Sequence, residues 1–363
     1  MLSFRPILLF LPMQLIIKKF FIIKLFITIL FFHNNLFSNS NIKDIDDFGI
    51  ISLMYHRFEE NKYPSTNIRI KEFINHIKIL EDNKFHFVDP KNFENELKNN
   101  KTQRKILLTI DDGFESFYKN AWPILKRKKI PFILFVSTRE VGAFNYMTWD
   151  QIREISKEEF VEIGNHSHTH EYLVDENKEI IINDIKKSIS IFNKELGKNS
   201  EFFSYPFGEY SLEFINIIKS LKFKYAFGQH SGVMDETKDL YTLPRFPINE
   251  KYGEVKRFNS LTKTLPFKYT NIIPEEKYLL QSKNPPKVKI NFFKNIKNLK
   301  SVNCYSNEGN KWRQSNIKFE DDFTININIS EKFVGERGRI NCSLRDPSGY
   351  WRWLGIQFVI SDN

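Results

Sequence analysis

Apolar runs alternate with amphipathic helical patterns from about residue 48 to residue 250. The apolar runs include GIISLMYH, KILLTIDDG, IPFILFVST and FVEIGNHS, and the patterns between them include IKEFINHIKILEDN and KEIIINDIKKSISIFNKEL. Repeated strand–helix alternation predicts parallel strands with helices packed outside the sheet. About seven such units favour a closed or nearly closed (β/α) barrel over an open doubly wound sheet, because the glycine-rich phosphate turn of that fold is absent.

The pattern changes beyond about residue 275. PPKVKINFFKN, DDFTININIS and RWLGIQFVIS are short alternating runs separated by turn residues, without a helical pattern. We therefore predict an α/β domain over residues 41–270 and a small all-β, immunoglobulin-like sandwich over residues 271–363. Cys304 and Cys342 are placed to bridge the two sheets of that sandwich, with two free buried thiols as the alternative.

The N-terminus has the features of an export signal. Lys18 and Lys19 precede an apolar run over residues 20–32 that is broken once by Lys24, and a polar stretch with Ser38 and Ser40 follows. This pattern predicts a signal peptide over residues 1–40, cleaved after Ser40, and a secreted or periplasmic mature protein. The alternative is an uncleaved signal anchor that associates with the membrane, favoured by the further apolar run ILLFLPM upstream of the lysines, although neither apolar run alone reaches the ~20 residues of a membrane span.

The net charge of +10 does not by itself indicate a nucleic-acid partner. The lysines and arginines are scattered among Asn, Ile and Phe, and they form no dense basic stripe. We therefore expect no nucleic-acid binding, and a basic surface of this kind fits anionic polymers or simple solubility equally well.

Polar residues of complementary chemistry follow several predicted strands. Asp111 and Asp112 end KILLTIDDG, whereas His166 and His170 end FVEIGNHSHTH. In barrel enzymes the chemistry lies at the carboxyl ends of the strands. If the histidine segment makes a helical turn, both imidazoles reach one point, and a carboxylate completes a set of three metal ligands.

Each of these motifs also has an ordinary structural explanation. Surface helices carry His-x-x-x-His pairs by chance, and adjacent aspartates before glycine commonly form a turn or cap a helix. His56, in SLMYHRF, has the alternative of a hydrogen-bonded core histidine. Their joint occurrence at the ends of successive strands favours a catalytic site.

The ordered motifs TIDDGF, HSHTH and YPFG resemble the polysaccharide deacetylase family, which carries the NodB homology domain (carbohydrate esterase family 4). The resemblance covers about residues 48–250, and it implies a distorted (β/α) barrel. It implies that Asp111 is the general base, and that Asp112, His166 and His170 bind a divalent metal, usually zinc. His168 is not implied.

The general acid is less directly indicated. Many family members carry it in a late leucine-x-histidine motif, but the corresponding LPRFPIN has no histidine. SLMYHRF near the start resembles the motif of secreted biofilm-type deacetylases that act on poly-N-acetylglucosamine and have a circularly permuted barrel. That resemblance implies His56 as the general acid, with His230 in FGQHSG as the alternative.

Four further residues have expected roles at the site. A backbone N–H near Tyr205 and Pro206, in SYPFG, would stabilise the oxyanion. Trp149 would line the sugar groove, or alternatively pack at a helix start. The family often holds its base with an arginine in this motif, which is absent here, so we expect Arg245 to pair with Asp111 instead.

Together these features predict a secreted, metal-dependent hydrolase that removes N-acetyl groups from N-acetylglucosamine units of a polysaccharide. Poly-N-acetylglucosamine is favoured, while peptidoglycan and chitin-like oligomers remain open. Two alternatives are a non-catalytic carbohydrate-binding envelope protein on the same fold, and a deacetylase of small amides or O-acetyl esters.

Overall fold

A computed structural model of the protein describes residues 47–99 and 103–361. The predicted signal peptide or anchor, residues 1–40, lies outside the described residues. Within the described part, no helix is long and apolar enough to cross a membrane. The described residues belong to one compact unit.

The chain up to residue 267 builds an α/β fold. Its strands are β1 (Ile50–Tyr55), β2 (Arg57–Phe58), β3 (Asn67–Ile68), β4 (His86–Phe87), β5 (Lys105–Ile110), β6 (Phe132–Val136), β7 (Val161–Asn165), β8 (Phe202–Ser204), β9 (Tyr225–Phe227), β10 (Val233–Met234), β11 (Phe246–Pro247) and β12 (Thr264–Pro266). Its helices are α1 (Ile70–Asp82), α2 (Phe93–Lys98), α3 (Trp122–Lys128), α4 (Trp149–Ser156), α5 (Lys178–Leu196), α6 (Leu212–Ser220) and α7 (Val255–Leu261).

A curled, mainly parallel sheet forms the centre of this fold. The strand order is β10-β1-β5-β6-β7-β8-β9, and every neighbouring pair from β1 to β9 is parallel. β1 and β5 are buried along their whole length, as expected for parallel strands covered on both faces. The predicted parallel α/β architecture is therefore confirmed, and the expected (β/α) barrel takes the form of a curled sheet.

One short segment bonds to strands from both ends of the β1–β9 series. Leu243 forms a parallel bridge to Phe227 of β9, and β11 pairs in parallel with β1. Arg245 lies between these two contacts and is completely buried. The segment 243–247 therefore carries an arginine into the interior of the curled sheet.

The remaining strands form an all-β region. They are β13 (Tyr269–Ile273), β14 (Tyr278–Leu279), β15 (Val288–Phe292), β16 (Asn303–Ser306), β17 (Arg313–Gln314), β18 (Asn316–Phe319), β19 (Thr324–Asn328), β20 (Arg337–Arg345) and β21 (Trp351–Ile360). One sheet has the order β12-β21-β20-β16-β17, and the other has the order β13-β15-β19-β18. Residues of both sheets share a core that includes Ile290, Ile325, Ile340 and Phe358.

Two details of this region differ from the sequence prediction. Cys304 and Cys342 form a disulfide, but they are directly opposite each other on the paired strands β16 and β20. The predicted bridge between two sheets is therefore wrong, because both cysteines belong to one sheet. The finer immunoglobulin-like assignment is not established, and strand β12, which precedes residue 271, pairs with the last strand.

The last strand, β21, also contacts the α/β part of the protein. The backbone N–H of Gly355 donates to the carbonyl of Ser231 over 2.6 Å. Leu354 bridges to Gly232, and the Trp353 ring packs 6.4 Å from that of Phe246. These contacts connect the all-β region to the loop after β9 and to β11.

Candidate metal centre and active site

The two adjacent aspartates follow β5 at a sharp turn. Neighbouring side chains on a continuing strand would point to opposite faces. Here the strand ends at Ile110, and both Asp112 (φ +75°) and Gly113 (φ +78°) adopt left-handed backbone conformations. Glycine adopts such angles without a steric penalty, and aspartate is one of the few other residues that tolerates them. The turn gives the two carboxylates separate surroundings within one site.

His166 and His170 follow β7 and come together without a helical turn. Their ring centroids are 4.7 Å apart, and Ser167 (φ +68°) and His170 (φ +53°) place the connection in left-handed conformations. The Ser167 hydroxyl accepts the N–H of His170 over 3.0 Å. The helical turn assumed from the four-residue spacing is therefore wrong, although the two rings meet.

Asp112, His166 and His170 form a set of donor atoms that suits a divalent cation. One ligand atom from each lies within 4.8 Å of the others. Asp112 Oδ1 is 3.3 Å from His166 Nε2 and 3.4 Å from His170 Nε2. His166 Nδ1 donates to the Ser204 carbonyl over 2.6 Å, so its Nε2 presents a lone pair to the cluster.

Two of these atoms are buried without a partner. Within the described residues, neither Asp112 Oδ1 nor His166 Nε2 makes a hydrogen bond. Buried polar atoms are nearly always satisfied, because an unpaired one costs free energy. Burial also lowers the pKa of His170, which keeps that imidazole neutral. Burial alone would lower the pKa of His166, but the two aspartates outweigh it and raise that pKa, so a cation would bind there in competition with a proton. One carboxylate and two imidazoles match the ligands of a catalytic zinc site, so the residues fit a metal.

Asp111 is held apart from this set by Arg245. The guanidinium donates to both carboxylate oxygens, over 2.7 and 2.8 Å, and both side chains are completely buried. Burial raises the pKa of Asp111, but the charges of Arg245, His166 and His56 outweigh it, and the pKa lies below its usual range. The structure thus pairs Asp111 with Arg245, and this pairing keeps the Asp111 carboxylate ionised.

The structure distinguishes the two candidate proton donors. His56 directly follows β1, and its charge lowers the pKa of both aspartates. His230 instead lines a cavity with Tyr210 and Lys277, where burial lowers its pKa to about 3. A group with so low a pKa is a poor store of a proton near neutrality. His56, whose charge acts on both aspartates, therefore stays the predicted general acid.

Tyr205 lies in the core, and Trp149 is partly buried against it. The Tyr205 side chain is completely buried and packs on Phe214, and its backbone N–H already donates to Phe227. Trp149 begins α4 and packs on Phe192. The N–H of Tyr205 itself is therefore already used, and a neighbouring backbone N–H as the oxyanion donor stays a prediction, whereas Trp149 has the packing expected of its helix-start alternative. Pro206 begins the 3₁₀ turn Pro206–Gly208 beside the histidines.

Several residues of the site were not found from the sequence. The Ser204 hydroxyl accepts from Arg245 over 2.8 Å and lies 3.4 Å from Asp111. An open cleft next to Asp112 and His170 is lined by further aromatic, basic and polar side chains, including Arg57, Tyr63, Phe114, Arg139 and Tyr146. Phe114 belongs to the TIDDGF motif, so its position directly after the turn could have identified it as a cleft residue from the sequence.

A family model described as polysaccharide deacetylase matches residues 98–226. The match includes the acid pair and the two clustered histidines. The chain is an enzyme of the polysaccharide deacetylase family. His56 and Arg245 of this deacetylase lie outside the matched range, on either side of it.

Three known proteins illustrate the similarity of the deacetylase. Poly-beta-1,6-N-acetyl-D-glucosamine N-deacetylase of Staphylococcus aureus strain MRSA252 is 27% identical over 224 residues, covering 57% of this chain and 77% of its own. The solved structure of IcaB from Ammonifex degensii has a TM-score of 0.55 and 24% identity, covering 60% of this chain and 98% of its own. The deacetylase PplD of Streptococcus pyogenes, solved with acetate, has a TM-score of 0.52 and 22% identity, covering 56% and 94% respectively. These two structures share the fold.

Proposed function

We propose that this deacetylase hydrolyses the N-acetyl group of N-acetylglucosamine units in an extracellular or cell-envelope polysaccharide. Water and the amide are consumed, and acetate and a free amine are released. The observation that carries the proposal is an ionised Asp111, held by Arg245, beside the unsatisfied cluster of Asp112, His166 and His170. The name of the Staphylococcus aureus relative supports poly-β-1,6-N-acetylglucosamine as the polymer.

The residues divide the chemistry between them. Asp112, His166 and His170 would hold a divalent cation, for which we propose zinc, and such a cation supplies Lewis acidity at the site. Asp111 accepts the proton of the attacking water, because Arg245 keeps its carboxylate ionised. His56 donates a proton to the departing nitrogen, since an amide anion is a very poor leaving group.

The cleft beside the cluster suits a sugar polymer. Phe114 and Tyr146 lie 4.8 Å apart, centroid to centroid, and the Arg57 guanidinium covers the Phe114 ring at 3.4 Å. Aromatic surface with a few polar groups is the usual lining of a ligand site. Because Phe114 is itself buried, we propose that Tyr146 and Arg57, which pack against it, contact the sugar next to the unit that is hydrolysed.

The disulfide supports a location outside the cytosol. Disulfides persist in oxidising compartments and are rare in cytosolic proteins. The bond between Cys304 and Cys342 is therefore consistent with a secreted or envelope-associated protein. An N-terminal signal peptide or membrane anchor remains part of this proposal.

Acetate release from a panel of acetylated glucosamine polymers tests the function. We expect Asp111→Asn to lower the rate by about 10²–10⁴-fold, the usual contribution of a general base, while bound zinc is retained. Asp150→Asn, at an exposed aspartate, is the matched control and should retain the rate. Bound metal without hydrolysis of any acetylated glycan would instead favour a carbohydrate-binding protein, and release from esters alone would favour an esterase.

A further inference from the structure

The 3₁₀ turn Pro206–Gly208 contacts both the histidine loop and the start of β20. The Phe207 ring lies 4.7 Å from the His170 ring and stacks on Tyr172 at 4.1 Å. The guanidinium carbon of Arg337, the first residue of β20, is 5.6 Å from the centre of the same Phe207 ring. One aromatic ring therefore contacts a residue of the metal cluster and a cation of the all-β region.

A buried carboxylate fixes Arg337 to this turn. The guanidinium pairs with Glu209, whose side chain is only 2% exposed. Burial raises the pKa of Glu209 to about 7 even beside Arg337, so without the guanidinium the carboxyl would become protonated or remain as an uncompensated buried charge. The neighbouring Glu336 accepts a hydrogen bond from the Tyr172 hydroxyl over 3.4 Å. Glu336 and Arg337 thus contact, respectively, the loop that carries Tyr172 and the turn that carries Phe207.

The backbone of the turn depends on such support. Phe207 has φ +57° and His170 has φ +53°, and a residue with a side chain adopts these left-handed angles only at a cost in free energy. Such conformations persist where the surrounding structure holds them. The contacts with Tyr172 and Arg337 supply that support on the Phe207 side.

We infer that Arg337 is a positioning residue for the metal ligand His170. It holds Glu209 and Phe207 in place, and Phe207 in turn fixes the orientation in which His170 presents Nε2 to the cluster. This inference rests on the proposed function, because it takes His170 as a metal ligand. The all-β region then contributes to the active centre as well as to the fold.

Zinc affinity of the full chain, measured by competition with a chromophoric chelator, tests the inference. We expect Arg337→Met to weaken zinc binding by about 10-fold or more, because groups that orient a metal ligand typically change affinity by 10–100-fold. Arg337→Lys, which keeps the charge, should recover part of the loss. Arg313→Met removes an arginine from the partly exposed Arg313–Glu331 pair of the same region and should leave affinity unchanged.

A double-mutant comparison shows whether Phe207 transmits the effect. If Arg337 acts through Phe207, Arg337→Met should add little to the loss already caused by Phe207→Leu. If Arg337→Met does not fold, Glu209→Gln with Arg337→Met leaves no unpaired buried charge and carries the same comparison.

Unchanged zinc affinity in a folded Arg337→Met protein, or full additivity with Phe207→Leu, would overturn the inference alone. Absence of zinc binding by the wild type would overturn the proposed metal centre, and this inference with it.

Discussion

The buried pair of Asp111 and Arg245 is the most demanding interaction at the residue scale. Both side chains are removed from water, and Arg245 also donates to the Gly228 carbonyl and to the Thr109 hydroxyl. Taking two charges out of water is compensated only when the geometry is good and further hydrogen bonds are made. The extensive bonding of Arg245 meets this condition, so loss of either partner should have a large effect.

Arg245→Ala should shift the pH dependence and lower stability. With burial retained and the guanidinium gone, the pKa of Asp111 should rise, so the base should lose its charge, and the enzyme its activity, at a higher pH than in the wild type. We expect the free energy of unfolding to fall by about 3–5 kcal/mol. A pH–rate profile and urea unfolding measure the two effects, and an unchanged acidic limb would remove Arg245 from the environment of the base.

The same pair gives the wild type a pH-dependent stability with a definite sign. Because the pKa of Asp111 is lower in the folded protein than in the unfolded chain, its stabilising contribution is present above the unfolded pKa. That contribution is lost as the pH falls through the folded pKa.

Zinc should raise the melting temperature of the wild type. A ligand that binds only the folded state at 100 times its dissociation constant adds about 2.7 kcal/mol to stability. Asp112→Asn with His166→Gln removes two of the three donors, so this variant should lose the shift. His86→Gln changes a histidine that pairs with Glu96 away from the cluster and should keep it. A shift that survives in the cluster variant would place the zinc elsewhere.

Short motifs allowed much of the site to be predicted, whereas side-chain direction did not follow from them. The acid pair, His166, His170 and Arg245 stand beside strand ends, and parallel strands bring such ends together. The groove role of Trp149 depended on the direction of its side chain, and its ring packs on Phe192 at the start of α4. A sequence pattern does not distinguish these two orientations for an aromatic residue at a helix start.

At the scale of the element, the pairing of β16 with β20 determines where the disulfide lies. They are antiparallel neighbours, and their directly opposed cysteines point into the sandwich core. The alternating pattern predicted that both segments are strands. It could not predict which strands are partners, because strand pairing depends on packing between residues distant in sequence. The expected inter-sheet bridge therefore became a bridge within one sheet.

Loss of this disulfide should reduce the stability of the all-β region. Cys304→Ser with Cys342→Ser opens a loop with a sequence separation of 38. We expect the free energy of unfolding to fall by about 2–4 kcal/mol, because the unfolded chain regains conformational freedom. Urea unfolding with and without a reductant measures this. The reductant should destabilise the wild type but leave the double variant unchanged, and equal effects on both would contradict the prediction.

At the scale of the whole molecule, the close approach of Gly355 to Ser231 connects the last strand to the loop after β9. A Cβ atom at Gly355 would collide with the Ser231 backbone. Gly355→Ala should therefore lower the free energy of unfolding by about 1–3 kcal/mol, the usual cost of overpacking. Thermal unfolding measures the change, with Ser343→Ala on β20 as the control. If Gly355→Ala is as stable as the wild type, the backbone at this contact can shift without a cost in free energy.

The partnership of Asp111 with Arg245, 134 residues later in the chain, has a consequence for biosynthesis. While the chain is being translated, the acid pair leaves the ribosome long before its counter-charge is made. Strand β5 cannot bury its terminal carboxylate favourably until the segment 243–247 arrives. The segment 243–247 therefore joins the sheet and makes Asp111 a charged base in the same late step. A fragment that stops at residue 226 would contain the recognisable motifs but lack the arginine that keeps the base charged.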